Sequence, residues 1–230
     1  MFSKDGPTFF ELIHQALSST QRGYDLLAPK FDATPFRTPD EMIEPAIRAI
    51  GEVNAALDLC CGTGAGMKFL RPICRQRVVG IDFSAGMLQQ ARQKLENAKG
   101  TAKLEFVHAD VMQMSFHEQF DAVTCFGALG HILPREESAF LRLIHQALRP
   151  GGRFVFYSAY PPPLLSPSTV WRRSFNVTMK VRNALLKPPF IMYYLTFLLP
   201  QIAEKLKNAG FAVHIHPGAK RECLVIATKS

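Results

Sequence analysis

The stretch Leu57-Asp58-Leu59-Cys60-Cys61-Gly62-Thr63-Gly64-Ala65-Gly66 runs from an apolar strand into a glycine loop, with an acid just ahead of the loop. Glycines let a backbone turn tightly and come close to a ligand. The acid narrows the choice of ligand. A dinucleotide would bring a pyrophosphate to this turn, and Asp58 would repel it. A ligand with a cationic amino-acid head and a sulfonium would use the carboxylate instead. Met67 stands where the dinucleotide fingerprint has a small residue for helix–strand packing, which again speaks against a nicotinamide cofactor.

Outward from this loop, Val78-Val79-Gly80-Ile81-Asp82 reads as a second buried strand ending in an acid. Asp82 follows Gly62 at the offset where a carboxylate meets ribose hydroxyls in a nucleotide-binding βαβ unit. From residue 54 onward, strands alternate with helices, as in a parallel sheet covered on both faces. The predicted strands are Ala55–Leu59, Val78–Asp82, Leu104–His108, Ala122–Cys125, Arg153–Ser158, Ala212–Ile215 and Cys223–Ala227. Ser84 is placed to cap the helix after Asp82, in which Met87, Ala91 and Leu95 recur on one face. A second helix, after Pro134, carries Phe140, Leu141, Ile144 and Leu148 on one face and stops at Pro150-Gly151. The last two strands lie too close together for a crossover helix, so they predict a hairpin. In an open α/β sheet, ligands bind beyond the carboxyl ends of the strands. Asp58 to Gly64, Asp82, Asp110 and Cys125 to Gly130 are thereby expected around one cleft.

With these motifs the chain resembles the class I S-adenosylmethionine-dependent methyltransferases, of the small single-domain, type 11-like kind. Leu57 to Gly66 is similar to that family's first motif, and Gly80 to Leu88 to its second strand and the helix that follows. His108-Ala109-Asp110-Val111 resembles the adenine-contacting turn, and Phe120-Asp121-Ala122-Val123 the fourth strand. Leu148 to Phe154 resembles the loop into the fifth strand, and Ala209-Gly210-Phe211 the turn before the sixth. Upstream, Tyr24-Asp25 through Phe31-Asp32 resembles the N-terminal helix that closes over the cofactor. The resemblance implies a Rossmann-like α/β fold: seven strands, mostly parallel, helices on both faces, the last strand antiparallel. It also implies S-adenosyl-L-methionine as cofactor. Asp58, Gly62 and Gly64 would hold its methionine end, with Tyr24 covering the carboxylate. Asp82 would meet the ribose, and Phe83 and Met87 would flank the adenine. Asp110 and the Val111 amide would bond the adenine edge, and Cys125 would line the same cleft. Cys60 departs from the family, which usually has glycine at that position.

The composition is that of a globular chain. It has 230 residues, 47% apolar and 20% charged, and is read as a single domain, 1–230. Within that domain the reading sets apart an N-terminal helical segment, 1–50, and an insert at about 161–199. No stretch has the basic-then-apolar layout of a signal peptide. The apolar run Phe190 to Leu199 is shorter than the roughly 20 residues of a membrane span. Five cysteines without metal-type spacing read as reduced thiols of a cytoplasmic protein with no bound metal.

The insert is the least family-like region. No Asp or Glu occurs from Ser138 to Ala203, while Arg142, Arg149, Arg153, Arg172, Arg173, Lys180, Arg182 and Lys187 all do. Ser168 to Lys187 reads as an amphipathic helix, stopped by Pro188-Pro189. Val170, Trp171, Phe175, Met179, Val181, Leu185 and Leu186 are expected on one broad side. Most of the basic residues fall on the other. Four placements stay open: a lid over the acceptor, a peripheral contact with an anionic membrane, a homodimer contact, or plain docking with a solvated basic face. The lid and membrane placements both favour a small apolar or amphipathic acceptor, methylated by direct in-line displacement. His131, after the fourth strand in Gly127-Ala128-Leu129-Gly130-His131, reads either as a general base or as a packing residue. The rival functions are a non-catalytic S-adenosylmethionine-binding protein and a nucleic-acid methyltransferase, although no RNA-binding module is recognisable.

Overall fold

Alternation within the predicted strands decides which helices cover which side of the sheet. In the computed structural model, which describes residues 5–164, 166–218 and 221–230, Leu57, Leu59, Val79 and Ile81 face one core. Ala56, Val78 and Ala122 face the other. The chain opens with helices α1 (Phe9–Leu17) and α2 (Thr20–Leu27), a 3-10 turn (Ala28–Ala33) and helix α3 (Asp40–Arg48). It continues through β1 (Val53–Leu59), α4 (Ala65–Ile73), β2 (Cys74–Asp82), α5 (Ala85–Leu95), β3 (Lys103–His108), β4 (Phe120–Cys125) and α6 (Glu137–Ala147). The last elements are β5 (Leu148–Ala159), α7 (Pro167–Leu185), α8 (Gln201–Asn208), β6 (Phe211–Pro217) and β7 (Glu222–Lys229).

The strand order is β3-β2-β1-β4-β5-β7-β6. β1 to β5 are parallel, and β7 runs antiparallel to both β5 and β6. This is the Rossmann-like sheet with an antiparallel end that the sequence predicts, including the terminal hairpin. The order reverses direction at β1, between β2 and β4, so the ligand-binding cleft lies at the carboxyl ends of these three strands. Residues of α3, α4 and α5, among them Ile43, Met67, Leu70 and Leu88, fill the core on one face. Residues of α6 and α8, among them Phe140, Ile144, Ile202 and Leu206, fill it on the other. Ser84 caps α5 as expected, its hydroxyl accepting the Met87 amide at 3.1 Å. One boundary differs from the sequence reading. Leu148 leaves the helix before Pro150 because it already pairs with Phe120 at the head of β5.

Close approach explains Met67. A side chain at Gly80 would put a Cβ 2.3 Å from the Met67 sulfur, so a bare strand position makes room for the large residue. The small residue that helix–strand packing needs sits on the strand here instead of the helix.

Two carboxylates seat the N-terminal segment over the sheet. Asp25 of α2 accepts the Ser84 hydroxyl at 2.6 Å and the Gly86 amide at 2.9 Å. Asp32 accepts the Thr63 hydroxyl at 2.6 Å and pairs with Lys94 at 2.7 Å. The first ties the segment to the turn after β2 and the second to the glycine loop.

Helix α7 forms close to its predicted limits, capped by Ser166, and its inner face is largely polar. Its buried residues are Thr169 and Met179, flanked on the same side by Asn176 and Asn183. Each asparagine pairs with the backbone of the irregular stretch after the helix. Asn176 bonds both the amide and the carbonyl of Tyr194, at 2.8 and 2.7 Å. Asn183 does the same for Phe190, at 2.9 and 3.0 Å. An irregular strand of chain has unsatisfied amides and carbonyls, and leaving them unpaired costs more than burying two side-chain amides that match them. Val170, Trp171, Val181, Leu185 and Leu186 of the predicted apolar side are exposed instead.

Asn183→Ala is expected to destabilise the protein by about 1–3 kcal/mol in urea unfolding, and to raise hydrogen exchange of the Phe190 amide ahead of the β-strand amides. An unchanged Phe190 amide would show that Asn183 does not hold this stretch.

Candidate functional site

Asp58 ends its run on β1 in register with Gly80 of β2 and Thr124 of β4. The Thr124 hydroxyl donates to Asp58 Oδ1 at 2.7 Å. A Cβ at Gly66 would stand 2.5 Å from Asp58 Oδ2, so this glycine, in the first turn of α4, is what lets the backbone lie on the carboxylate. Asp82 is bound from both sides. Its Oδ2 accepts the Gly62 amide and its Oδ1 the Ser84 amide, each at 2.9 Å. Each oxygen keeps a lone pair for a further donor. Both carboxylates are buried. Burial pushes Asp58 up to about 7 and Asp82 up to about 6.

Cys60 has φ of 52°, a left-handed backbone that favours glycine. The family's glycine at this position therefore answers a real conformational demand. The Cys60 thiol meets Cys125, and that hydrogen bond together with burial holds its pKa well above the ordinary value.

Two cavities meet at this end of the sheet. The inner one, of about 80 Å³, is lined by Asp58, Cys60, Gly62, Asp82, Phe83 and Met87, among others. The outer one, of about 460 Å³, reaches Cys125 and is walled by Phe126, Tyr157 and the stretch 192–198. Tyr24, Phe36, Arg37, Phe126, Gly127 and His131 border both. Helix α7 contributes no described residue to either wall; it braces the 190–194 stretch from behind. Arg37 is the sole cationic residue among the described residues of the inner wall, and it pairs with Asp40.

At the border, Tyr24 Oη and His131 Nε2 stand 2.8 Å apart. His131 Nδ1 bonds the Ile191 carbonyl. A carbonyl only accepts, so Nδ1 carries the proton, and Nε2 accepts from the Tyr24 hydroxyl. Burial lowers the His131 pKa and raises that of Tyr24, keeping both neutral. Three segments converge here. Tyr24 comes from α2, His131 from the turn after β4, and Ile191 from the stretch braced by α7. The Tyr24 ring also stacks on Phe190 at 6.3 Å and meets Phe83 edge-on at 6.1 Å.

Most of the residues expected in one cleft are brought together there. Asp110 and Val111 are not on either described wall. Asp110 is exposed and caps the turn after β3 through the Met112 amide at 2.9 Å, and Val111 is buried in the core. Gly64, with φ of 87°, starts α4 as its N-cap and is likewise absent from both walls. Sequence reasoning missed Arg37, Phe36 and the 192–198 wall. These lie in irregular segments without periodicity, and only chain path brings them to the sheet.

Residues 56–152 match the family model described as a methyltransferase domain. A demethylmenaquinone methyltransferase from Thermus thermophilus is 31% identical over 222 residues, covering 93% of this chain and 92% of the relative. The chain belongs to the class I S-adenosylmethionine-dependent methyltransferases. Another demethylmenaquinone methyltransferase, from Clavibacter sepedonicus, is 38% identical over 147 residues, 61% of this chain, and the match spans 55% of that relative's length. An O-methyltransferase family protein from Burkholderia thailandensis shares the fold, with a TM-score of 0.70 and 17% identity over 99% of this chain and 65% of its own. Membership sets aside the nicotinamide oxidoreductase that Asp58 and Met67 already argued against. The methyltransferase family's cofactor is cationic at its sulfonium and ammonium and anionic at its carboxylate. The inner wall carries two carboxylates, one guanidinium and apolar rings, and that donor set fits it.

The signs of the two raised carboxyl pKa values have a consequence for stability. Each stands above its unfolded value of 3.8. The stability they contribute is therefore full below about pH 4 and is lost as pH rises through about 6 and 7. The melting temperature of the ligand-free methyltransferase is expected to fall between about pH 4 and pH 7, and Asp58→Asn to flatten the upper part of that fall. An unchanged slope in the variant would show that Asp58 is not the group involved. Cys60→Gly removes left-handed strain of about 1–2 kcal/mol against an added entropy cost of about 0.5–1 kcal/mol, so chemical denaturation is expected to show equal or greater stability.

Proposed function

We propose that this methyltransferase methylates a ring carbon of a small, hydroxylated aromatic acceptor of the hydroquinone type, carrying an apolar substituent. The observation that carries the reading is the neutral Tyr24–His131 pair at the border of the two cavities. The names of the relatives, demethylmenaquinone methyltransferases, point to the same acceptor chemistry.

Bound in the inner cavity, S-adenosylmethionine would supply an activated methyl group. Asp58 would face its cationic amino-acid end, Asp82 its ribose hydroxyls, Phe83 and Met87 its adenine, and Arg37 its carboxylate. The inner cavity is small for a nucleoside, since ligand sites usually measure about 300–1,000 Å³. Entry therefore requires α2 and the 3-10 turn to shift on their Asp25 and Asp32 contacts.

The outer cavity would hold the acceptor ring among Phe126, Tyr157 and the 192–198 wall and exclude water from it. Tyr24 Oη would take the proton of the ring hydroxyl while passing its own to His131 Nε2. The imidazolium so formed keeps its Nδ1–H on the Ile191 carbonyl, which favours the charged form. Loss of that proton makes the neighbouring ring carbon nucleophilic. After transfer, the carbon's own proton moves to the oxygen as the ring regains aromaticity, and the proton held by His131 leaves to solvent, restoring the neutral pair. An oxidised quinone lacks the hydroxyl and would not react.

Titration calorimetry with S-adenosylmethionine is expected to show binding that weakens at least about tenfold in Asp82→Ala. The affinity should also fall as pH drops through about 7 and 6, because a cationic ligand prefers ionised carboxylates. With a short-chain dihydroxynaphthalene acceptor, His131→Ala is expected to lower kcat about 100-fold while leaving cofactor affinity intact. No transfer to any hydroquinone, or an unaltered kcat in His131→Ala, would overturn the acceptor and base assignments respectively.

A further inference from the structure

The outward face of α7 is apolar where a surface helix is normally polar. Val170, Val177, Val181 and Leu185 recur at helical spacing along it and are more than half exposed, with Trp171 at the flank. Isolated exposed apolar residues are ordinary, but four on one side of a helix over about four turns are not. A column of Arg173 and Lys180, prolonged by Lys187 past the helix end, runs beside the stripe. Among the described residues, none of these three pairs with a carboxylate.

A second apolar face stands at the adjoining helix. On α1, Phe10, Ile13 and Leu17 share one side, with Phe10 80% exposed. Arg182 joins the ends of the two helices, donating to the carbonyls of Ala16 at 3.0 Å and Ser18 at 2.8 Å. The two faces thus belong to one braced unit, and the same unit holds the Ile191 carbonyl and the outer cavity wall. No described helix is long and apolar enough to cross a membrane.

We propose that the outward face of α7, together with α1, docks on the surface of an anionic lipid bilayer. An apolar stripe with Trp and a Lys/Arg rim is the pattern of a helix lying in the headgroup region, apolar side down. Charge decides between a bilayer and a second copy of the chain. In an antiparallel two-fold contact the stripe would meet itself and bring the basic columns of both copies together. From Ser138 to Ala203 there is no acid to offset them, and Glu11 of α1 is already paired with Lys30. Anionic headgroups supply the missing counter-charge. The surface does not depend on the identity of the acceptor.

The test is vesicle flotation with the full chain, using phosphatidylcholine alone and phosphatidylcholine with about 30% phosphatidylglycerol. Wild type is expected to float with the anionic vesicles only, and about 500 mM salt to weaken this by screening. Val177→Glu/Val181→Glu and Arg173→Glu/Lys180→Glu are each expected to lower the bound fraction at least about tenfold. Neither pair touches a cavity, and circular dichroism would confirm that both variants fold. Light scattering supplies the competing outcome. Wild type that ignores anionic vesicles, variants that bind as well as wild type, or a two-chain particle that Val177→Glu/Val181→Glu reduces to one chain without vesicle binding would each overturn the proposal.

Discussion

Two buried carboxylates, Asp58 and Asp82, stand at the carboxyl ends of adjacent parallel strands. Burying ionised carboxylates is costly, and the chain around them is arranged to meet that cost. Thr124 gives Asp58 a hydroxyl from the strand on its other side. The glycine loop bends so that the Gly62 amide reaches Asp82, and the turn after β2 closes so that the Ser84 amide does too. The left-handed backbone at Cys60 and the bare Gly66 follow from the same demand. Even so, burial leaves both carboxyls raised above the ordinary carboxylate range.

The N-terminal segment and the stretch after α7 are subordinate to this frame and to each other. Asp25 and Asp32 dock the former on the two loops that carry the carboxylates. The latter adds to α2 through the Ile191 amide on the Thr20 hydroxyl at 2.7 Å, and Phe190 packs where Gly23 leaves space. The Tyr24–His131 pair exists only because both segments are in place. Its tautomer is set by one carbonyl from a stretch with no regular structure, held in turn by two asparagines of α7. Positioning of this hydrogen-bonded pair thus passes from helix to loop to ring.

The legible part of the sequence was the part governed by local rules. Strands Ala55–Leu59 and Val78–Asp82 announce themselves by apolar runs ending in acids, and α5 by a serine cap and a repeat at helical spacing. The terminal hairpin follows from the short distance between two strands. Helix α7 was legible as a helix but not in orientation. Its periodicity marks Val170, Val181 and Leu185 as one face, and a hydrophobic pattern alone sends that face inward. Asn176 and Asn183 stand on a different side of the helix and pair with backbone there, and a pattern of apolar residues carries no trace of which backbone groups lack partners.

By itself the sequence determined the order of strands and helices, the parallel sheet with its antiparallel end, and the pair of acids beside a glycine loop. These depend on side-chain alternation and turn chemistry, which act over a few residues. Tertiary structure alone decided that Tyr24, His131 and Ile191 form one hydrogen-bonded chain, that Asp110 stands outside the cavity wall, and that α7 turns its apolar stripe to the outside. Each of these depends on contacts between segments far apart in the chain, where the satisfaction of buried polar groups outweighs the local pattern.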